Sequence, residues 1–438
     1  MQKKRANNGK LLLGIMAAAV IVFMAIGCTT TTGNKAIATG TMRDKVIVGT
    51  DQKVKTAVYI EVNDHNPLNA GSYVLEDGTL LFDYVILFAA NIRNRDPEKG
   101  AAYVHLNENV QYILDNRNKY IVPLQEKGIK VLLALLGDHD GITFASLNDT
   151  ERETFIADLK KNVEYYHLDG VNFDDEWASK EDWDNWGNGL AVGAEGKTYD
   201  TISPSSIWTY PVSTWGWPWS GKVYRNPAKG IEVGNGQFTE PTEAELTKMW
   251  KESGESYYKT ILAARKALGA DKIISLYEYN TGSYITPAGA ANGTATLSSL
   301  EGALSFALQP QYNQYVENSA NGLSRSKYSP FGIDLGGGAY SQDGTPLPPI
   351  VVNNDDHATD TIHDYATRFK TAATEGNAYN VLYFYNLRPQ SELLKYDSSE
   401  TKPSVTTEAY ISRMTQIVFG QDVVLTAEGG DYRKDWSF

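Results

Sequence analysis

Cysteine, histidine and positive charge are all scarce in this sequence of 438 residues, and each shortage excludes a class of protein. The one cysteine, Cys28, rules out an internal disulfide and a CxxC metal site. The six histidines include no HxxxH pair, so the sequence carries no zinc constellation. Lys and Arg number 40 against 53 Asp and Glu, and the net charge of −13 repels nucleic-acid phosphates. The sequence therefore favours an uncharged ligand and argues against nucleic-acid binding.

Aromatic residues are plentiful by contrast, with 27 Tyr and 9 Trp. They have two interpretations. One is ordinary packing in the core and on the surface. The other is stacking on sugars, because a pyranose ring offers an apolar C–H face to an aromatic ring. Composition by itself favours packing.

The first residues have the pattern of an export signal. Four Lys or Arg residues lie within 3–10, and the uncharged apolar run 11–26 is short for a membrane-spanning helix. The following Gly27-Cys28 resembles a bacterial lipobox, with Ala25 where Leu is usual. We expect residues 1–27 to be a lipoprotein signal peptide, Cys28 to be lipidated, and 28–53 to be a flexible tether. Ordinary cleavage near Cys28 and an uncleaved anchor helix are the alternatives.

The expected lipid anchor implies a location for the protein. It places the protein in the bacterial cell envelope, on the outer membrane or the cell surface, attached to the membrane through a lipid. We expect a monomer.

Apolar runs alternate with helical patterns over residues 54–425, the predicted catalytic domain. The predicted strands are 57–62, 84–88, 129–136, 168–173, 273–277, 304–308, 333–335 and 381–385. The predicted helices are 109–126, 151–166, 242–268, 361–374 and 411–419, with a capping box from Thr242 to Glu245. Eight such units predict an α/β fold, a (β/α)8 TIM barrel. An open doubly wound sheet ranks second, because no Gly-rich phosphate loop follows the first strand.

Residues 180–241 break this alternation. They hold six Trp residues and many Gly, Ser and Pro, which predicts a long insertion after the fourth strand: Trp183, Trp186, Trp208, Trp215, Trp217 and Trp219. Loops that follow barrel strands lie on the catalytic rim, so this segment is expected to form a wall or lid over the site. A self-packed surface loop is the alternative. Residues 426–438 are assigned to a C-terminal tail.

The fourth strand runs into an acidic stretch, DGVNFDDE, at residues 169–176. Alternation along a strand places Asn172, Asp174 and Glu176 on one face, towards the barrel mouth, and Val171 and Phe173 on the other. Such polar groups are costly to bury unless a site uses them. Of two close carboxyls one tends to stay protonated, as a general acid requires. A cation-binding or helix-capping turn and a solvated charge cluster are the alternatives, and the glycine position excludes an EF-hand.

This stretch resembles the DxxDxDxE signature of glycoside hydrolase family 18, and most closely its endo-β-N-acetylglucosaminidase H type. The resemblance continues in the same order through the segments 58–63 (VYIEVN), 88–92 (FAANI), 106–110 (LNENV), 128–133 (GIKVLL) and 272–277 (KIISLY). It covers most of residues 54–420 apart from the Trp-rich insertion. It implies a (β/α)8 barrel and retaining, substrate-assisted hydrolysis of the GlcNAc-β1,4-GlcNAc bond in the core of N-linked glycans. It implies no metal or organic cofactor.

The resemblance also implies roles for individual residues. Glu176 corresponds to the proton donor, which later acts as base, and Asp174 to the residue that stabilises an oxazolinium intermediate. Asn172 replaces a second Asp of the signature. Gln311 stands where a Tyr is usual, with Tyr312 as its possible substitute one position on. The further substrate-binding candidates are Asn91, His139, Tyr277, Gln309, Tyr385 and Asn386.

Two other functions stay open at this point. Asn172 and Gln311 motivate a non-catalytic surface protein that binds glycans on the same barrel. A chitinase would use the same chemistry on a polymer. The expected partners of the first function are the N-linked glycans of glycoproteins.

Overall fold

The computed structural model describes residues 37, 39–96, 101–137, 144, 147–174, 207–209, 223–225, 243–278, 300–308, 323–329, 332–335, 361–376, 379–394 and 405–438. They belong to one compact unit, Ala36–Phe438. None of the helices in these ranges combines the length and the apolar character that crossing a membrane would require. The predicted signal peptide and Cys28 lie outside the described residues.

The strands follow one another along the chain from the N-terminal side. They are β1 (Lys45–Val46), β2 (Lys53–Glu61), β3 (Tyr73–Leu75), β4 (Tyr84–Asp96), β5 (Ala101–His105), β6 (Lys130–Gly137), β7 (Gly170–Asp174), β8 (Ile207–Thr209), β9 (Val223–Arg225), β10 (Ile273–Tyr277), β11 (Phe306–Leu308), β12 (Tyr328–Ser329), β13 (Gly332–Asp334), β14 (Val381–Tyr385) and β15 (Val423–Leu425).

The α-helices lie between these strands. They are α1 (Glu108–Asp115), α2 (Arg117–Tyr120), α3 (Val122–Glu126), α4 (Asp149–Tyr165), α5 (Glu243–Leu268), α6 (Thr361–Thr374) and α7 (Thr407–Phe419). Short 3-10 helices cover Pro67–Ser72 and Arg325–Lys327.

The main sheet is a parallel barrel. Its hydrogen-bonded order is β12-β11-β10-β7-β6-β4-β2-β14-β13, and the neighbours in this path are parallel. Its two end strands, β12 and β13, are separated in the sequence by residues 330–331 alone. Together β12 and β13 occupy the place of the seventh barrel strand, and this stretch of chain brings the two edges of the sheet together. This confirms the predicted barrel and rejects the doubly wound alternative.

Side-chain alternation divides the apolar core into an inner and an outer layer. Val58, Ile60, Val171 and Phe173 belong to the outer cluster, which also contains buried side chains of the helices. The inner cluster fills the barrel and includes Ala57, Tyr59, Ile86, Leu132, Ala134, Tyr277 and Tyr383. Strands that are buried on both faces have near-continuous apolar sequences, which is why each of them was visible as an apolar run.

The predicted helix 109–126 differs from the structure. Residues 108–126 form the three short helices α1, α2 and α3. Asn116 lies at the first break, and its side chain donates a hydrogen bond to the carbonyl of Tyr112 (2.9 Å). Pro123 lies at the start of α3, where its missing N–H is tolerated. The other predicted helices agree with α4, α5, α6 and α7 to within about four residues, but the proposed cap Thr242 lies outside the described residues.

Part of the expected tether, residues 39–53, packs on the barrel. Strand β1 pairs antiparallel with the start of β2, and Ile47 is fully buried. Lys45 is buried as well, and its ammonium contacts the Asp83 carboxylate at 2.5 Å. Burial lowers the pKa of Lys45, and the charge of Asp83 opposes that shift. A tertiary ion pair therefore fixes a segment that shows no periodic pattern in the sequence.

Candidate active site

Strand β7 places its polar residues inside the barrel. Asn172 is fully buried, and its amide nitrogen donates to Ser275 Oγ on the neighbouring β10 (2.9 Å). Its carbonyl oxygen accepts a hydrogen bond from the Tyr59 hydroxyl, which reaches across from β2 (3.0 Å). Both polar groups of this amide are thus satisfied by side chains that face the same interior. The residue that replaces the second Asp of the signature is a structural crosslink within the barrel.

Aromatic rings surround this crosslink. The ring of Tyr59 lies edge-on to Phe88, Tyr277 and Tyr383, with centroid distances of 6.2, 5.9 and 6.4 Å. Tyr385 lies at 6.3 Å with a tilted ring. Tyr59, Tyr277 and Tyr383 are buried, whereas Phe88 and Tyr385 are partly accessible. We call these five rings the aromatic floor of the barrel.

Asp174 ends strand β7 beside this floor. It is 2% exposed and lies level with Leu136 on β6 and Tyr277 on β10. Other carboxyl groups are buried at the ends of nearby strands, at Glu278 and Asp334. The carboxyl ends of parallel strands meet at one edge of a barrel, which is where barrel enzymes build their sites. We call this edge the barrel mouth.

Asn91 and Asn386 lie at the same edge. The Asn91 amide donates a long hydrogen bond to the carbonyl of Gly137 (3.4 Å). Asn386 follows β14 in the left-handed region (φ 66°), a conformation that Asn tolerates better than most residues. Its backbone N–H donates to the carbonyl of Tyr59 (3.0 Å), so Asn386 is anchored to β2. Tyr277 and Tyr385 are thus part of the floor, and Asn91 and Asn386 are part of the mouth.

The first acid of the signature, Asp169, lies at the opposite end of β7. Its carboxylate accepts hydrogen bonds from the backbone N–H of Val131 (2.9 Å) and from Gln125 (2.8 Å), and it pairs with Lys130 (3.1 Å). These bonds fix the start of β7 against β6. Asp169 therefore sets the register that carries Asn172 and Asp174 into the interior.

Several predicted site residues lie outside the described residues: Glu176, His139, Gln309, Gln311 and Tyr312. The Trp-rich insertion also lies outside them, apart from the short antiparallel pair of β8 and β9. Their predicted roles remain predictions.

Sequence reasoning missed three residues of this site as functional candidates: Tyr59, Ser275 and Glu61. Tyr59 and Ser275 hold Asn172, and Glu61 ends β2 two residues beyond Tyr59. Every second residue of a strand faces the same side, so positions 57, 59 and 61 share the inward face of β2. This alternation could have identified Tyr59 and Glu61 as inward residues. Tyr59 lies 113 residues from Asn172 in the chain, and no local pattern reports such a contact.

The Glu61 carboxyl is largely buried and accepts a hydrogen bond from the backbone N–H of Asn63 (3.2 Å). Burial raises its pKa to about 7, the Asn63 hydrogen bonds oppose this shift, and the negative charge of Asp64 adds to it. Glu61 is thus a carboxyl group at the barrel mouth that changes its charge near neutral pH.

Replacing Glu61 with Gln should flatten part of the pH dependence of stability. The pKa of Glu61 is higher in the folded protein than its usual 4.5, so its protonated form favours folding below pH 4.5. That contribution is lost as the pH rises through 7. We expect Glu61→Gln to match the wild type at pH 4.5 and to be more stable at pH 8, by up to about 3 kcal/mol. Thermal unfolding across this range tests it, with the exposed Glu153→Gln on α4 as control. A constant difference between Glu61→Gln and wild type at every pH would contradict it.

Comparison with known proteins finds relatives that are named endo-beta-N-acetylglucosaminidases. No family model matches the chain. Endo-beta-N-acetylglucosaminidase F1 of Elizabethkingia meningoseptica is 45% identical over 131 residues, which are 30% of this chain. That match spans only 38% of the relative. An endo-beta-N-acetylglucosaminidase of Flavobacterium sp. (strain SK1022) is 28% identical over 364 residues, which cover 83% of this chain and 80% of the relative.

The solved structures agree in fold. The crystal structure of EndoBT-3987 from Bacteroides thetaiotamicron with a Man5GlcNAc product covers 87% of this chain, with a TM-score of 0.50 and 21% identity. This chain covers 64% of that structure. A second structure of EndoBT-3987, in complex with a Man9GlcNAc2Asn substrate, gives the same TM-score and identity, with 69% of its chain covered. In sequence this chain is therefore similar to two endo-beta-N-acetylglucosaminidases, and its barrel has the fold of EndoBT-3987.

Proposed function

We propose that this protein is an endo-β-N-acetylglucosaminidase that hydrolyses the GlcNAc-β1,4-GlcNAc bond in the core of N-linked glycans. One observation carries the proposal: Asp174 is buried at the end of the fourth barrel strand, in the barrel mouth beside the aromatic floor. The relatives named endo-beta-N-acetylglucosaminidase support the activity, and the EndoBT-3987 structure with Man9GlcNAc2Asn supports the class of substrate.

The proposed reaction proceeds with retention and uses the substrate's own acetamido group. Glu176, two residues beyond Asp174, protonates the glycosidic oxygen, and the leaving sugar departs as an alcohol. The carbonyl oxygen of the 2-acetamido group attacks the anomeric carbon, and an oxazolinium ring forms. Asp174 hydrogen-bonds the acetamido N–H and stabilises the positive charge that develops there. Glu176, now a carboxylate, removes a proton from water as the water opens the ring.

The aromatic floor suits a sugar substrate. The accessible rings of Phe88 and Tyr385 border the mouth, and such rings stack on the apolar face of a pyranose. Asn91 and Asn386 provide amide groups at the same edge, which can bind sugar hydroxyls. Apolar walls with a few placed polar groups are typical of small-ligand sites.

A non-catalytic glycan-binding protein is the second candidate. The buried amide of Asn172 favours it, because the signature has a carboxylate at this position. The carboxyls at 174 and 176 favour catalysis, since binding a neutral sugar requires no proton donor.

One assay separates these functions. The purified protein is incubated with ribonuclease B, which carries high-mannose glycans, and with chitin oligomers, and the products are identified by mass. Loss of the glycan with one GlcNAc left on the protein supports the proposed function. Binding without any change of mass supports the glycan-binding protein. Shortened chitin oligomers beside an intact glycoprotein would identify a chitinase.

The N-terminal sequence completes the proposal. The lipobox-like Ala25-Ile26-Gly27-Cys28 supports lipidation of Cys28 and attachment to the cell envelope. Growth of expressing bacteria with labelled palmitate should label the wild type and leave Cys28→Ala unlabelled. Equal labelling of the two proteins would contradict the anchor.

A further inference from the structure

Glu61 lies on the inward face of β2, as Asp174 does on the inward face of β7. Tyr59, two residues earlier on β2, reaches Asn172 across the barrel interior. Two residues further along each strand lie Glu61 on β2 and Asp174 on β7, both with inward parity. Two residues of a strand span about 6.6 Å. Glu61 and Asp174 therefore both lie on the inner face of the barrel, each two residues nearer the mouth than the residues of the Tyr59–Asn172 hydrogen bond.

A network of amide groups holds the Glu61 side chain in place. The Asn63 N–H that binds the Glu61 carboxyl belongs to a residue that is fixed from two directions. Asn63 Oδ1 accepts hydrogen bonds from Asn107 (3.3 Å) and Asn109 (3.0 Å), at the start of α1. The carbonyl of Asn63 accepts one from the Lys434 ammonium (2.7 Å). Functional side chains need such second contacts to be held in one geometry.

The last residues of the chain complete this network. Trp436 is buried, stacks on Tyr112 of α1 with ring centroids 6.0 Å apart, and donates its indole N–H to Asn109 Oδ1 (2.9 Å). The carbonyls of Tyr432 and Arg433 accept hydrogen bonds from Asn69 (2.8 Å) and Asn66 (3.1 Å). Residues 426–438, assigned to a tail from sequence, thus bind the loop that follows β2.

The core does not need a carboxyl at position 61. An apolar side chain there would avoid the cost of burying a carboxyl, and the turn at Asn63 requires only an acceptor. A carboxyl held in the mouth of a sugar site can accept hydrogen bonds from two hydroxyl groups, or donate one and accept another.

From this placement we infer that Glu61 binds hydroxyl groups of the glycan in the barrel mouth, as a specificity-determining residue of the reaction. The inference deepens the proposed function and rests on it.

Titration of a glycan into a protein that cannot turn it over tests the inference. The full chain with Glu176→Gln is titrated with a Man9GlcNAc2Asn glycopeptide, with and without Glu61→Ala. Loss of about two hydrogen bonds should raise the Kd about 10- to 100-fold. Adding Glu61→Gln in its place keeps an acceptor and a donor, and should leave the Kd within about threefold of the parent. The control Asp64→Asn removes an exposed carboxyl of the same loop and should not change the Kd.

The outcomes separate the inference from the proposed function. Equal Kd values for Glu61→Ala and its parent would overturn the inference, as would an equal loss in Asp64→Asn. If Glu61→Ala does not fold, Glu61→Asp decides. It keeps the charge but withdraws the carboxyl by one methylene, and unchanged binding would again overturn the inference. If Glu61→Ala weakens glycan binding but the wild type does not cleave the glycoprotein, the proposed function is wrong and the inference on Glu61 stands.

Discussion

Glu176→Gln is expected to lower the hydrolysis of N-linked glycans by about 10³-fold while the protein still binds them. The amide keeps the size of the side chain but cannot protonate the glycosidic oxygen, and proton transfer by a placed side chain accounts for about 10²- to 10⁴-fold in rate. Release of glycan from ribonuclease B, followed by mass, measures turnover. Calorimetric titration with the same glycan measures binding.

The neighbouring carboxyl provides the matched control. Asp175 lies between two inward positions, so alternation along the strand predicts that its side chain points to the other face. Asp175→Asn should therefore keep most of the activity. If Glu176→Gln cleaves at the wild-type rate, or if Asp175→Asn is the variant that loses activity, the assignment of the proton donor is incorrect.

Asp174→Asn is expected to lower kcat by about 10²- to 10³-fold with a much smaller change in KM. A carboxylate that stabilises a developing positive charge acts mainly in the transition state, and removal of one such group costs about this much. Asp174 is buried at the mouth, so little water is available to take over its role. Steady-state kinetics on a released-glycan assay separates kcat from KM. A rise in KM at constant kcat would show that Asp174 only binds the substrate.

Asn172→Asp tests the role of the neighbouring inward position, because this substitution restores the carboxyl of the signature. The site can accept it: Tyr59 already donates to the oxygen at this position, and the Ser275 hydroxyl can donate instead of accepting. We expect this variant to fold and to move the pH profile of kcat, since a second carboxyl beside Asp174 couples the two ionisations. An unchanged profile would mean that the two positions do not interact.

The barrel was predictable because each strand carries its own signal. Val171 and Phe173 face the helices, whereas Asn172 and Asp174 face inward. The alternation of apolar and polar residues therefore indicated both faces of the strand. Helix positions followed from the same kind of local pattern. The predicted helix 109–126 failed at Asn116, whose side chain binds the carbonyl of Tyr112, four residues earlier, at the break between α1 and α2. Such local hydrogen bonds compete with the helix and leave its apolar periodicity unchanged.

The site was predictable only in part. The inward parity of Asn172 and Asp174 followed from β7 alone, whereas Tyr59 and Ser275 became part of the site through contacts over 113 and 103 residues. In the sequence, Glu61 was only one residue of the segment 58–63, which resembles the family, and nothing there indicated a role for it. Its burial and the position of its carboxyl depend on Asn63, and through Asn63 on α1 and the C-terminal residues.

The amino-acid sequence by itself determined the order of strands and helices, the inward positions of Asn172 and Asp174, and the family resemblance. The first two follow because periods of two and of 3.6 residues are local properties of the chain. Tertiary structure alone decided which side chains meet at the mouth, why residues 39–53 are held by Lys45 and Asp83, and how Trp436 supports Asn63. The reason is physical: closing the sheet sets the stagger between strands, and that stagger brings distant residues to one level of the barrel.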